Sequence, residues 1–122
     1  MGSSLLDALR DMGMDTQAAL RRFAGNAALY ERFLLKFPAD DSFRRTGDAL
    51  RAGDWDAMLD AAHTLKGVAG NLGLTPLYLA AAQIVASLRA ADRDGAAAAF
   101  AQLENAYQKL CPVLARAARE EA

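Results

Sequence analysis

Apolar residues recur at alternating spacings of three and four along three long stretches of this sequence. This period matches the 3.6-residue turn of an α-helix and gives each stretch one apolar face. Helices that carry one narrow apolar face bury it by packing side by side in a bundle. The positions are Met58, Ala61, Leu65, Val68 and Leu72 in the first stretch, Leu77, Ala81, Ile84 and Leu88 in the second, and Ala96, Phe100, Leu103, Tyr107, Leu110 and Leu114 in the third.

Amino-acid composition supports helices and argues against a sheet. The 122 residues include 29 alanines and 18 leucines, whereas valine, isoleucine and threonine together number eight. Alanine and leucine lose little conformational freedom in a helix, while the β-branched residues favour strands. A chain of this length forms one domain around one core. We therefore predict a single all-α domain over residues 1–122, an antiparallel up-and-down four-helix bundle with short additional N-terminal helices.

Start and stop residues divide the sequence into helical segments. They predict a short lead-in helix over about residues 4–12, followed by bundle and flanking helices over about residues 15–119. The three long stretches and a helix that begins at Asn26 are expected to form the four walls of the bundle. The candidate N-caps are Ser4, Asp15 or Thr16, Asn26, Asp41, Asp54, Thr75 and Asp94, and the candidate helix ends are Gly13, Gly25, Pro38, Gly53 and Gly73.

Charge and residue counts argue against several classes of function. The 14 Lys and Arg against 15 Asp and Glu give a net charge of −1 without a basic block, which disfavours nucleic-acid binding. No apolar run approaches the roughly 18 residues of a membrane span. One cysteine, Cys111, and one histidine, His63, cannot form an internal disulfide or a Cys/His zinc site. We expect a cytoplasmic protein without a cofactor or metal. We also expect a monomer, since no extra apolar stripe demands a partner subunit.

One helix carries residues that packing in a bundle does not explain. On a helical wheel of residues 54–72, Lys66, Gly67 and Gly70 lie within about 60° of His63, opposite the apolar face. A glycine inside a helix destabilises it by roughly 1 kcal/mol relative to alanine, so two glycines on one face need a reason. Missing side chains would let another surface approach the backbone closely. We therefore predict that His63 is exposed on a face open to a partner.

The residue types on this face suit phosphoryl transfer. An exposed imidazole is largely neutral at pH 7 and can attack phosphorus, and a lysine one turn along can balance the charge of the phosphoryl group. The sequence has neither a glycine-rich phosphate cradle nor a second histidine, so donor and acceptor must be other molecules. A lone helical histidine is more often an inert surface residue, and Gly70 with Asn71 could instead mark the end of the helix.

Residues His63 to Gly73, which read HTLKGVAGNLG, resemble the signature of histidine-containing phosphotransfer (Hpt) domains of bacterial multistep phosphorelays. The signature of that family is an H-x-L-K-G pattern, and the resemblance extends from Met14 to Leu110. It implies an antiparallel four-helix bundle whose histidine takes a phosphoryl group from an aspartate of one receiver domain and passes it to another.

The resemblance also assigns roles to individual residues. It makes His63 the phosphoacceptor and Lys66 the residue that balances the charge of the phosphoryl group, and it puts Gly67 beneath the docked receiver. Mg²⁺ is expected on the receiver domain only, and the chain is expected to be a carrier rather than an enzyme. The other residues expected to contact the receiver are Leu59, Gly70 and Asn71.

The chain departs from the family at Val85. Many members carry Glu or Gln there, and that side chain can hydrogen-bond the histidine ring, whereas Gln83 lies on another face of its helix. A non-phosphorylated adaptor that binds a histidine kinase or a receiver through the same face is therefore an alternative. An enzyme with its own substrate pocket is less favoured, because one histidine without a convergent acid, base or metal ligand provides too little machinery.

Overall fold

Helices make up most of residues 4–121, the part of the chain that the computed structural model describes. This range contains no strand, so the all-α prediction is confirmed, and none of its helices is long and apolar enough to cross a membrane. Residues 1–3 and 122 of the predicted domain lie outside the described residues. The elements are α1 (Ser4–Asp11), α2 (Thr16–Arg22), α3 (Ala27–Lys36), a 3-10 helix (Phe37–Ala39), α4 (Ser42–Ala52), α5 (Trp55–Asn71), α6 (Thr75–Arg89) and α7 (Arg93–Glu121).

Side-chain caps define the start of three helices. The side chains of Asp15, Asn26 and Asp54 each accept a hydrogen bond from the backbone N–H three residues later. Each bond satisfies a donor that the first turn of a helix leaves unpaired. These three predicted caps are confirmed for α2, α3 and α5. At the C-terminal end of α4, Gly53 adopts φ = 67°, the left-handed conformation that ends a helix, as predicted.

Three predicted caps are wrong. Ser4 is the first residue of α1 and therefore lies inside the helix instead of capping it. Thr75 is the first residue of α6 and Leu74 precedes it as the cap. The Thr75 hydroxyl is used elsewhere, because it accepts the backbone N–H of Asp15 at 3.1 Å. The last helix begins at Arg93 instead of after Asp94, and the carboxylate of Asp92 accepts the backbone N–H of Gly95. Both aspartates flank the helix start, and only Asp92 precedes the first helical residue.

The helices α4, α5, α6 and α7 pack against one another in chain order. Short joints of two or three residues connect them, so neighbouring helices run antiparallel, as expected for an up-and-down bundle. The apolar positions of the three long stretches face the core, and all are buried except three that are half-buried, Val68, Leu88 and Tyr107. The four-helix bundle prediction is confirmed.

The fourth wall of the bundle differs from the prediction. The helix after Asn26, α3, supplies only part of it, and α4 supplies the rest. Phe43 of α4 stacks on Tyr107 of α7, with 3.9 Å between the ring centroids, and on Phe100 at 5.7 Å. Gly47 lies against Phe100 as well, since a Cβ there would be 2.9 Å from its ring. Aromatic stacking and a missing side chain thus let the short α4 close the bundle against α7.

Three hydrogen bonds fasten the N-terminal segment to the end of α5. Their acceptors are three consecutive backbone carbonyl oxygens, which the end of a helix leaves without intrahelical partners. One donor, the Tyr30 hydroxyl, is buried with its ring. The segment before α4 therefore fixes the end of the helix that carries His63. The bonds run from Arg22 Nη1 to Asn71 (3.2 Å), from Tyr30 Oη to Leu72 (2.6 Å) and from Asp15 N to Gly73 (2.9 Å).

Candidate functional site

His63 lies midway along α5 and is exposed. Its helix buries the opposite face, where Ala61 and Leu65 belong to the core. The predicted orientation of the ring, away from the apolar face, is confirmed. No hydrogen bond or ion pair joins the imidazole to another residue of the range 4–121. The exposed ring therefore has no partner in this range that an incoming molecule would have to displace.

An open groove of 590 Å³ lies beside the ring of His63. Its lining includes Lys66, Gly67, Gly70 and Asn71, so the structure brings five of the six predicted site residues together along one face of α5. We call this depression the His63 groove. The other lining residues are Asp15, Arg22, Ala69, Gly73, Thr75 and Tyr78.

Leu59 is the predicted site residue that does not line the His63 groove. It is half-buried and packs against the hydrophobic core. Its position one turn before His63 put it near the ring on a helical wheel, but the neighbouring helices cover part of the side chain. Leu59 therefore contributes to packing in this structure, and only its exposed part is available to a partner.

The two groove glycines that lie within α5, Gly67 and Gly70, differ in their surroundings. A Cβ added at Gly67 would meet no atom within 4 Å, so no internal contact of the domain requires glycine there. A Cβ added at Gly70 would lie 3.0 Å from Cδ1 of Tyr78, which is tight for a carbon contact. Gly70 is thus explained by packing against α6, whereas Gly67 leaves backbone bare at the surface next to His63.

The charged residues of the groove are mostly basic. Lys66 and Arg22 line it together with one acidic residue, Asp15, whose carboxylate accepts the backbone N–H of Ala18. Among residues 4–121 neither basic side chain forms an ion pair. The groove therefore offers an anionic partner two cations whose charge is not already neutralised by a contact, and Lys66 is the one within a helical turn of His63.

Tyr30 does not line the His63 groove, but it contacts the end of the helix that carries His63. Burial raises the pKa of Tyr30 to about 12, and the nearby Arg22 guanidinium opposes that shift only in part. The phenol is therefore protonated at neutral pH and can donate its hydrogen bond to the Leu72 carbonyl oxygen. This bond is one of the contacts that hold the end of α5.

No side chain of α6 forms a hydrogen bond with the ring of His63. Val85, at the position where many Hpt domains carry Glu or Gln, is buried with 2% of its surface exposed. Gln83 donates a hydrogen bond to the Ser87 hydroxyl at 3.1 Å, and it lines a different groove. The prediction that Gln83 does not replace the missing Glu or Gln is therefore confirmed.

Sequence reasoning missed Arg22 and Tyr78 as groove residues. Each comes from a helix other than α5, and Arg22 lies 49 residues from its hydrogen-bond partner Asn71. A helical wheel relates residues of one helix only, so no local signal could have found these contacts.

Comparison with known proteins supports what the fold and the groove indicate. A family model of the Hpt domain matches residues 4–111. The chain therefore belongs to the Hpt domain family, whose members act in phosphorelay phosphotransfer with receiver domains, as carriers rather than as catalysts.

Curated relatives include the Sensory/regulatory protein RpfC from two strains of Xanthomonas campestris pv. campestris. In each case 77 residues align with 35% identity, which is 61% of this chain and 9% of the relative. The chain thus spans less than a tenth of the length of these relatives. No solved structure matches the chain.

Proposed function

We propose that this domain accepts a phosphoryl group on His63 from the phosphorylated aspartate of one receiver domain and passes it to the aspartate of another. The observation that carries the proposal is the exposed ring of His63 in a basic groove, beside backbone that Gly67 leaves bare. Membership of the Hpt family supports the same role. The domain would act in the cytoplasm as a monomeric carrier.

The transfer step is a displacement at phosphorus. The lone pair of His63 Nε2 attacks, the N–P bond forms, and the O–P bond of the aspartyl phosphate breaks. The aspartate leaves as a carboxylate with the electron pair, and the other ring nitrogen, Nδ1, carries the proton. Transfer to the second receiver reverses these steps, so the N–P bond breaks and a new acyl phosphate forms. No oxidant, reductant or nucleotide takes part.

Two neighbours of His63 have distinct roles in the proposal. Lys66 lies one turn further along α5 and provides positive charge near the phosphoryl oxygens. Gly67 leaves room for the receiver surface to come close enough for in-line attack. The receiver supplies Mg²⁺ and the carboxylates that bind it, which together stabilise the charge of the transferring group.

An adaptor that binds a receiver or a histidine kinase without being phosphorylated is the second candidate. The observation that favours it is that neither Val85 nor Gln83 can orient the ring, since Val85 is buried and Gln83 bonds to Ser87. Both candidates use the same face of α5. They differ in whether a phosphoryl group is found on the domain.

Incubation with a receiver domain that carries ³²P on its aspartate separates the two candidates. The carrier proposal predicts an acid-labile, base-stable label on the wild-type domain and none on His63→Gln. If the receiver binds and neither the wild-type domain nor His63→Gln takes up the label, the result would support the adaptor and reject the carrier. Circular dichroism of both proteins checks that the substitution leaves the helices intact.

Lys66→Ala tests the role of the basic neighbour, with Lys109→Ala as the matched control. Lys109 is an exposed lysine of α7 that lines a different groove. We expect Lys66→Ala to accept the label and to lose it roughly threefold faster, because a partly exposed ion pair contributes little more than this. The Lys109 variant should retain the label as the wild type does. Equal label lifetimes in all three proteins would reject the role of Lys66.

A further inference from the structure

Arg22 lines the His63 groove but has no part in the transfer step described above. It is the last residue of α2, it is exposed, and its Nη1 donates a hydrogen bond of 3.2 Å to the carbonyl oxygen of Asn71. Within the described range no carboxylate forms an ion pair with it. Its charge is therefore available at the surface.

The bond to Asn71 holds the guanidinium in place and leaves most of its donors free. Carbonyl oxygens at the end of a helix carry partial negative charge, which favours a cation at that position. A guanidinium has five N–H donors in a planar fork, and the structure uses one of its nitrogens at Asn71. The remaining donors can bind a carboxylate through two parallel hydrogen bonds.

Arg22 lies far from the reacting atoms, because its hydrogen-bond partner is at the end of α5. Its partner Asn71 follows His63 by eight residues, which is about 12 Å along the helix axis, whereas Lys66 is only about 4.5 Å along. A cation bound to the Asn71 carbonyl is too far away to contact a phosphoryl group on the ring. Any effect of Arg22 on transfer must therefore act through the protein that delivers the phosphoryl group.

We propose that Arg22 is a docking residue that binds a carboxylate on the surface of the receiver domain, at a point about 12 Å along the α5 axis from His63. This inference rests on the proposed function, since it requires a receiver to dock over His63. Charge complementarity identifies the occupant, because the groove offers Lys66 and Arg22 against the single acidic residue Asp15. Receivers with a neutral or basic residue at the matching place are poorer partners.

The test compares Arg22→Gln with Arg21→Gln. Arg21 precedes Arg22 on α2 and is also exposed, but it does not line the groove, so it is a matched control for loss of one positive charge. The second-order rate constant for labelling by a phosphorylated receiver is measured together with the maximal rate at saturating receiver. We expect Arg22→Gln to lower the second-order rate constant about threefold at low ionic strength, and Arg22→Glu to lower it about tenfold.

The maximal rate should not change in either Arg22 variant, and the Arg21 variant should transfer as the wild type does. In 0.5 M salt the difference between the Arg22 variants and the wild type should shrink, because salt screens exposed charges. Arg22→Lys keeps the charge and should recover part of the rate constant. Equal second-order rate constants for Arg22→Gln and Arg21→Gln, or a loss confined to the maximal rate, would overturn the proposal.

Two measurements keep this test separate from folding and from the proposed function. Thermal unfolding followed by circular dichroism establishes that each variant is folded at the assay temperature; a loss that Arg22→Lys shares in full would be structural and would reject the docking role. Fluorescence anisotropy with the unphosphorylated receiver gives the binding constant without any transfer. A wild-type domain that takes no label rejects the carrier proposal, whereas equal binding constants for Arg22→Gln and Arg21→Gln reject the docking role of Arg22.

Discussion

Substitutions at Gly67 test the bare surface beside His63, because added side chains should stabilise the helix, and a large one should hinder docking. A Cβ at this position meets no atom within 4 Å, and the residue lies inside α5 with helical backbone. Alanine is favoured over glycine in an exposed helix interior by about 0.8–1.0 kcal/mol. We expect Gly67→Ala to raise the free energy of unfolding by about 0.5–1 kcal/mol and the Tm by about 2–5 °C.

Gly70→Ala is the control, since it makes the same change one turn away on the same helix. Its Cβ would lie 3.0 Å from Cδ1 of Tyr78, so the aromatic ring must move to accept it. The gain in helix propensity is then offset by the displaced ring. We expect Gly70→Ala to be less stable than Gly67→Ala by about 1 kcal/mol, measured by urea denaturation of both proteins.

Gly67→Arg extends the test to function. Arginine is also a good helix former, so this variant should be at least as stable as the wild type. Its long side chain covers the backbone that the receiver would approach, and transfer from a phosphorylated receiver should fall roughly tenfold or more. Lower stability of Gly67→Ala would refute the reasoning about open space around Cβ. Wild-type transfer by Gly67→Arg would refute the close approach of a partner.

Three further predictions concern buried contacts. Tyr30→Phe leaves the Leu72 carbonyl oxygen without its donor and should lower the free energy of unfolding in urea by about 1–2 kcal/mol. Burial raises the pKa of Tyr30 from 10.0 to about 12, so above pH 10 the unfolded chain releases this proton first. The contribution of this raised pKa to the free energy of unfolding should therefore be fully present below pH 10 and be lost between pH 10 and 12. The free energy of unfolding should fall less steeply over this range in Tyr30→Phe than in the wild type. Burial likewise raises the pKa of Tyr107 to about 12, so part of the loss of stability at alkaline pH should persist in Tyr30→Phe. The same dependence of stability on pH in Tyr30→Phe and in the wild type would contradict the raised pKa of Tyr30. Gly47→Ala puts a Cβ 2.9 Å from the Phe100 ring and should lower the free energy of unfolding by about 1–2 kcal/mol, with an unchanged urea midpoint as the contrary result.

The bundle was largely predictable because its helices bury faces whose apolar spacing is visible in the sequence. The same holds for His63, Lys66 and Gly67, which share a face of one helix and need only the helical period to be placed together. Local cap chemistry also identified the starts of α2, α3 and α5. Where two aspartates flank one helix start, as at Asp92 and Asp94, the sequence alone does not distinguish between them.

Contacts between distant segments account for what the sequence did not reveal. The short α4 closes the bundle through Phe43 and Gly47, whose partners lie on α7, and neither residue forms a long apolar pattern of its own. Gly70 has a partner in Tyr78 that explains the missing side chain. Arg22 reaches the groove because α2 folds back over the end of α5. None of these contacts follows from helical periodicity, since each depends on how separate helices pack.

The chemical position of the phosphoryl group decides whether this domain is a carrier. Phosphorus-31 NMR of the domain after reaction with a phosphorylated receiver, combined with proton correlation to the imidazole, reports which atom bears phosphorus. We predict a single N–P linkage at Nε2 of His63, which disappears in His63→Gln. Phosphorus bound to a carboxylate or hydroxyl of this chain, or none bound while the receiver still binds, would contradict the account.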